Sequence, residues 1–176
     1  MNGGDNEEYS RKIGSCGGLS MIVSGGQTGV DRGALDAAIA AGHAHGGWCP
    51  RGRRAEDGVI PEKYRLVETP FSRYAVRTAW NVRDSDATLV LTSGPVAGGT
   101  KLTVECAQRY GRLCLIVDLC GETDAGTVAE WIWAHGIGVL NVAGPRESDA
   151  PGISENARRF VAEIIDRDRW RTPAGS

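Results

Sequence analysis

The sequence predicts an α/β fold in which a mainly parallel sheet is covered by helices on both faces. Three observations predict it. Short apolar runs of strand length alternate with segments of helical spacing along the whole chain. The runs are continuously apolar rather than alternating, as expected of strands buried on both faces. Glycine-rich turns follow three of the runs, at Gly25, Gly98 and Gly144, and lead into helices or towards them.

In chain order, residues 1–18 are polar and glycine-rich without periodicity, and read as a flexible extension. Leu19 to Val23 is the first strand. It runs into Ser24-Gly25-Gly26-Gln27-Thr28-Gly29, and an alanine-rich helix follows over Asp31 to Ala41, stopped by Gly42. His45 to Trp48 reads as a short second strand. Cys49 to Gly58 reads as a long polar loop with neither period, and Tyr64 to Glu68 as a third, edge strand. Helical spacing marks Ser72 to Asp84. Ala87 to Thr92 is a buried strand with a polar end, and the loop Ser93 to Thr100 opens a helix over Lys101 to Tyr110. Leu113 to Asp118 is the most apolar strand. Thr123 or Asp124 caps a helix running to about His135. Val139 to Val142 is the last strand, and a closing helix over Gly152 to Arg167 carries Ile153, Ala157, Phe160, Val161, Ile164 and Ile165 on one stripe. Residues 19–170 thus read as a single domain, with a flexible tail over 171–176.

Length and composition agree. A chain of 176 residues with 41% apolar and 24% charged residues has the make-up of one globular domain. A net charge of -2 gives no sign of bulk binding to nucleic acid or to a membrane surface. No apolar run reaches a membrane span, and five cysteines without a CxxC pair suit a reducing, cytoplasmic compartment.

The turn at Ser24 to Gly29 carries the first functional signal. Glycines let backbone come close to a ligand, and the first amides of the next helix point back into the turn at the positive end of the helix dipole. Strand, glycine turn and helix start make a site for phosphate or another oxyanion. The spacing is neither GxGxxG nor a P-loop. Gly98-Gly99-Thr100 repeats the device, with an ordinary helix cap at Thr100 as the plainer reading. Right-handed crossovers place both turns and the Gly144 loop on one sheet edge, where ligands bind in such folds. Arg51, Arg53 and Arg54 offer guanidinium forks for phosphate, or else a loop neutralised by Glu56 and Asp57. Cys49, His43, His45 and His135 show no metal-ligand spacing. Trp131 and Trp133 face opposite sides of one helix, and Asp86 is read as structural.

Five stretches then meet a known family: SGGQTGVDRGALDAA (Ser24–Ala38), GWCPRGRRAEDGVIP (Gly47–Pro61), RTAWNVRDSDATLV (Arg77–Val90), GGTKLTVECA (Gly98–Ala107) and NVAGPRES (Asn141–Ser148). Together they resemble the "putative molybdenum (cofactor) carrier" family, within the Rossmann-like superfamily that includes the lysine-decarboxylase-like LOG enzymes. The resemblance implies a Rossmann-like three-layer sandwich, a homo-oligomer (dimer or tetramer), and a small anionic ligand. That ligand is molybdenum cofactor of the molybdopterin type as cargo, or a nucleotide-like molecule. LOG enzymes remove the base from a nucleoside monophosphate. They carry an Arg nine residues before a strand-opening Asp, then a loop PGGxGTxxE. Arg77 and Asp86 match the first feature, and Gly99-Thr100 match the GT, but Thr103 stands at the glutamate position. Glu105, two residues on, points about 200° away on a helix. This weighs against base removal.

The leading expectation is a carrier for a phosphate-bearing anion. Ser24, Gly25, Gly26, Gln27, Thr28, Gly29, Gly98, Gly99 and Thr100 would hold phosphate. Arg77 and one or more of the three loop arginines would add charge, and Arg146 and Ser148 would close the pocket; no metal site is expected. Arg77→Ala would weaken anion binding without unfolding the chain. The alternatives are a nucleoside-monophosphate N-glycosidase using Arg77 with a relocated acid, Glu105 or Glu147, and a nucleotide-sensing domain.

Overall fold

The computed structural model of the protein describes residues 18–171. The extension expected over 1–18 and the tail expected over 171–176 lie outside them, Gly18 and Arg171 apart. Five parallel strands form the central sheet. They are β1 (Met21–Val23), β2 (His45–Gly46), β7 (Ala87–Thr92), β8 (Leu113–Asp118) and β9 (Val139–Ala143), in the spatial order β2-β1-β9-β7-β8. Two small sheets stand beside it: β3 (Trp48–Cys49) with β6 (Val67–Glu68), parallel, and β4 (Arg54–Ala55) with β5 (Gly58–Val59), antiparallel. The helices are α1 (Val30–Ala40), α2 (Tyr74–Arg83), α3 (Gly98–Tyr110), α4 (Ala125–Ala134) and α5 (Ile153–Arg171).

Layering follows from strand direction. The step from β7 to β8 and the step from β8 back to β9 run opposite ways across the sheet. Right-handed crossovers therefore put α3 and α4 on opposite faces. Accordingly α1 and α4 both pack on α5, while α2 packs with α3. The result is a Rossmann-like three-layer sandwich, as the sequence predicts. The main core lies under α1, α4 and α5, where Ile153, Ala157, Val161, Ile164 and Ile165 meet Ala34, Ala37 and Ala38 and the sheet residues Leu89, Leu91, Leu140 and Val142. Small side chains on α1 let it lie close to α5. Val82, Cys106 and Ala107 form the smaller cluster between α2 and α3.

β7 and β9 occupy the middle of the sheet, and every residue of β7 is buried. β8 is the most apolar strand by sequence yet stands at the edge, with Leu113 41% and Ile116 45% exposed. The Cys49–Gly58 segment is a correction: it is not irregular but folds into the β4–β5 hairpin. Arg53 holds this hairpin, donating to the carbonyls of Ile60, Pro61, Tyr64 and Leu66. Those bonds are invisible to periodicity because they join one side chain to distant backbone. The strand expected over His45–Trp48 is split at Gly47 between the two sheets. α3 begins three residues before Lys101, and α5 runs on to Arg171. Asp124 caps α4 by accepting from the Thr127 amide at 2.7 Å. Asp86 is structural, its carboxylate accepting the Gly138 and Val139 amides.

Candidate functional site

A cavity of about 440 Å³ opens beyond the carboxyl ends of β7 and β9. It is of a size usual for small-molecule sites. The end of β7 supplies Thr92, the loop after it Ser93, Pro95 and Ala97, and α3 follows with Gly98, Gly99, Thr100, Leu102 and Thr103. The loop after β9 supplies Gly144, Pro145, Arg146, Asp149 and Ala150. Tyr74, Arg77 and Thr78 come from α2, and Gln27 and Asp31 from the turn after β1 and the start of α1. The three glycine-bearing loops therefore do share one rim.

The two glycine turns reach this rim in different states. In the first, the Gln27, Thr28 and Val30 amides are engaged within the protein. Asp31 sits almost fully buried in the opening turn of α1 and accepts the Gln27 amide at 3.2 Å. The Thr28 amide bonds the Gln27 side-chain oxygen, and the Val30 amide bonds the Pro145 carbonyl. Arg77 lies over Gly25 and donates to Asp31 at 3.1 Å. A Cβ on Gly25 would stand 1.9 Å from Arg77 Nη1, so only glycine leaves the guanidinium its place. Burial pushes the Asp31 carboxyl above its ordinary range, while Arg77 and the Gln27 amide pull the other way.

The second turn is open. Ala97 stands at the start of α3 in extended backbone, with no side-chain cap on the helix. Gly98 has φ +51, a left-handed conformation that favours glycine. A Cβ on Gly98 or Gly99 would meet nothing within 4 Å. Thr103 donates its hydroxyl to the Gly99 carbonyl at 3.1 Å. The Thr100 and Lys101 amides bond the Ala97 carbonyl, so the donors that the α3 N-terminus can offer the cavity are the Gly98 and Gly99 amides, with the helix dipole behind them. Arg146 crosses the face of Tyr74, 5.4 Å from the ring centre, and brings a second guanidinium to the wall.

Of the residues the sequence singles out, Gln27, Arg77, Gly98, Gly99, Thr100 and Arg146 line the cavity. Ser24, Gly25, Gly26, Thr28 and Gly29 lie behind it. Ser24 donates to the Val142 carbonyl, and a Cβ on Gly26 would strike Leu66 and Ile60. Arg51, Arg53 and Arg54 are not brought to the wall, and the Arg53 guanidinium is occupied by the hairpin. Ser148 faces Glu56, as does Thr28, so Glu56 ties the hairpin to the β9 loop. Glu105 is exposed, 3.9 Å from Lys101, and Glu147 accepts the Gly152 and Ser154 amides at the start of α5. Neither of these two acids lines the cavity. Asp31, Tyr74, Thr78, Thr92, Thr103 and Asp149 are wall residues that sequence reasoning did not select. The polar end of β7 marks Thr92, and Thr103 is marked as the residue in place of glutamate.

The strand order carries more. Read from β7 onwards and then round to β1, the strands β7, β8, β9, β1, β2 lie in the order 2-1-3-4-5. That is the doubly wound arrangement, with its reversal point between β7 and β9, where the cavity lies. In this chain the order begins at the fourth strand, as a circular permutation would leave it. The model of the circularly permutated YpsA SLOG family matches residues 22–165. The chain belongs to this family. A crystal structure named "Putative molybdenum carrier protein", from Syntrophus aciditrophicus SB, is 41% identical, with a TM-score of 0.77. The match covers 86% of this chain and 95% of that one. No curated protein is a significant match. The permutation of the SLOG sheet explains why the first glycine turn of this chain is not the one at the sheet's reversal point. The loop of that central strand is the second, at Gly98.

Proposed function

We propose that this SLOG-family chain is a carrier that binds a small phosphate-bearing anion. The ligand is molybdenum cofactor, held by its molybdopterin phosphate, or a nucleotide-like molecule. The observation that carries this reading is the uncapped start of α3 facing the cavity, with Arg77 and Arg146 on the same wall. Amide donors and guanidinium forks suit an oxyanion. Among the described residues no group of three or more His, Cys, Asp or Glu converges. A metal-bearing cargo would therefore be held through its organic, phosphate-bearing part. The name of the 41% identical relative supports the same direction.

Base removal from a nucleotide is the less favoured reading. Thr103 bonds Gly99 at the helix position where the LOG-type acid would stand, and both relocated acids point elsewhere. Among the described residues the wall carboxylates are Asp31, paired with Arg77, and Asp149. Denaturing the purified protein and identifying the released ligand by mass spectrometry tests the proposal. A phosphate-bearing pterin or nucleotide supports it. Failure of inorganic phosphate, nucleotides and molybdenum cofactor alike to bind in calorimetry overturns it. Assembly into a homo-oligomer and a cytoplasmic location accompany the proposal; no described helix is long and apolar enough to cross a membrane.

A further inference from the structure

The two edges of the central sheet are finished differently. At one end stands β2, two residues long, after which the chain turns away into β3. So short an edge offers little backbone to another strand. At the other end β8 pairs with β7 along its whole length, and among the described residues no strand lies on its outer side. It carries no proline, no lysine and no break in register, the devices that normally blunt an edge. Leu113 and Ile116 are exposed on it.

The direction of its backbone groups follows from one bond. Leu119, which continues the strand, donates its amide to the Thr92 carbonyl of β7 at 2.7 Å. Backbone groups of successive strand residues point to alternate sides. Leu115 and Val117 therefore bond towards β7, and Cys114 and Ile116 turn their N–H and C=O groups outward. Side chains alternate between the faces as well. Leu115 and Val117 join the main core, and Cys114 joins the cluster between α2 and α3.

We propose that β8 is an interface for a second copy of this chain, paired antiparallel about a two-fold axis through Leu115, so that the two sheets join edge to edge. A two-fold axis normal to the sheet keeps each face continuous, so directly opposite residues must come from the same face. With the axis at Leu115, Cys114 stands opposite Ile116 of the second copy and exchanges both backbone bonds with it. Leu113 stands opposite Val117, and Arg112 opposite Asp118. Opposite charges thus meet at both ends of an apolar ladder. An axis at Cys114 would set Arg112 against Ile116, and an axis at Ile116 would set Asp118 against Cys114, so both neighbouring registers lose the charge pairs. Arg112 donates to the Arg83 carbonyl at 2.7 Å, and Asp118 accepts the Cys120 amide at 2.9 Å. A guanidinium has five N–H groups and a carboxylate about four lone-pair sites, so each keeps capacity for the other. The proposal goes beyond the anion site. Antiparallel pairing turns the two cavities to opposite rims of the joined sheet, and its tests read mass rather than ligand.

Sedimentation equilibrium of the full chain should give twice the mass of one chain. Ile116→Lys, at an exposed position, should give the mass of one chain with the urea midpoint unchanged. Arg112→Glu and Asp118→Arg each set like charges opposite each other at both ends, and each alone should shift to single chains. Mixed in equal amounts they should pair with one another, because only the mixed dimer restores opposite charges at both ends. A single-chain mass for the unmodified protein, or a folded Ile116→Lys that keeps the doubled mass, overturns the interface. Charge variants that dimerise as well alone as mixed overturn the register through Leu115. Hydrogen exchange on the unmodified protein needs no variant. The outward Cys114 and Ile116 amides should exchange as slowly as the inward amides of Leu115 and Val117, and fast exchange confined to the outward pair overturns the interface.

Discussion

Two glycine-rich turns follow parallel strands onto the same rim, and they have opposite characters. At Gly25–Gly29 the glycines make room for the protein itself: Arg77 over Gly25, and the Pro145 carbonyl 2.3 Å from a Cβ on Gly29. Its anion is the protein's own Asp31. At Gly98 and Gly99 a side chain would meet nothing within 4 Å, and of the opening amides of α3 only those of Thr100 and Lys101 are seen bonded, both to the Ala97 carbonyl. The same local device can thus close a fold or receive a ligand, and what lies in front of the amides decides which.

The sharpest way to break this contrast is a methyl group in each turn. Gly25→Ala should displace Arg77 from Asp31 and leave a buried carboxylate without its partner. Breaking such a pair costs about 3–5 kcal/mol. Urea unfolding should show that loss; a shift below about 0.5 kcal/mol, the range of surface changes, would mean that Arg77 is not locked there. Arg77→Ala should cost stability for the same reason. It is thus a poor probe of binding, unlike the sequence-based expectation that it would leave the fold intact.

Arg146 sharpens the other side. It touches the Tyr74 ring, whereas the buried carboxylate of the wall, Asp31, is paired with Arg77. Arg146→Ala should leave the urea midpoint within about 0.5 kcal/mol of the parent. It should also lower the affinity for inorganic phosphate about tenfold or more, since a hydrogen bond to a charged group contributes about 1.5–3 kcal/mol. Unchanged phosphate affinity in calorimetry would remove Arg146 from the site. Gly99→Ala should then separate stability from binding in one variant. Alanine in place of a glycine whose backbone suits it gains about 0.4–1 kcal/mol, while a methyl group added to this cavity-lining residue should weaken phosphate binding. Gain of stability without any loss of affinity would place the anion away from α3.

Much of this was legible in the sequence, and the reasons are physical. Continuous apolar runs such as Leu89–Leu91 and the stripe from Ile153 to Ile165 can be buried in few ways, so strands, helices and the parallel sheet follow from them. The shared rim follows from crossover handedness. What the sequence does not display is which donors are already engaged. Asp31 looks like an ordinary acidic residue in a first helical turn, and only packing shows it closing the Gly25 turn. Arg53 looks like a phosphate fork beside Arg51 and Arg54, yet its five-donor head is bound to backbone carbonyls. Strand order, which places the Gly98 loop rather than the Gly25 turn at the reversal point, depends on pairing between strands far apart in the chain.

The smallest effect concerns the tie between the two regions. Glu56 on the β4–β5 hairpin accepts hydroxyls from Ser148 on the β9 loop and from Thr28 in the first turn. These bonds hold its carboxyl below its ordinary value of 4.5. A carboxyl lowered in the folded state contributes stability that is present above that ordinary value. The contribution is lost as the pH falls through the lower, folded-state value. The group is exposed, so solvent screens the contribution and it should amount to no more than a few tenths of a kcal/mol. Glu56→Gln removes the titration but keeps an oxygen for one hydroxyl. In the parent, the amide resonances of Glu56, Thr28 and Ser148 should move together as the pH is lowered below 4.5. In the variant they should not. Because the Glu56 amide also fixes the Gln27 oxygen, the same titration should reach the Gln27 side-chain NH2 resonance. A Gln27 signal that ignores the Glu56 transition would show the hairpin and the cavity wall to be uncoupled, and the first turn to be held closed by Asp31 and Arg77 alone.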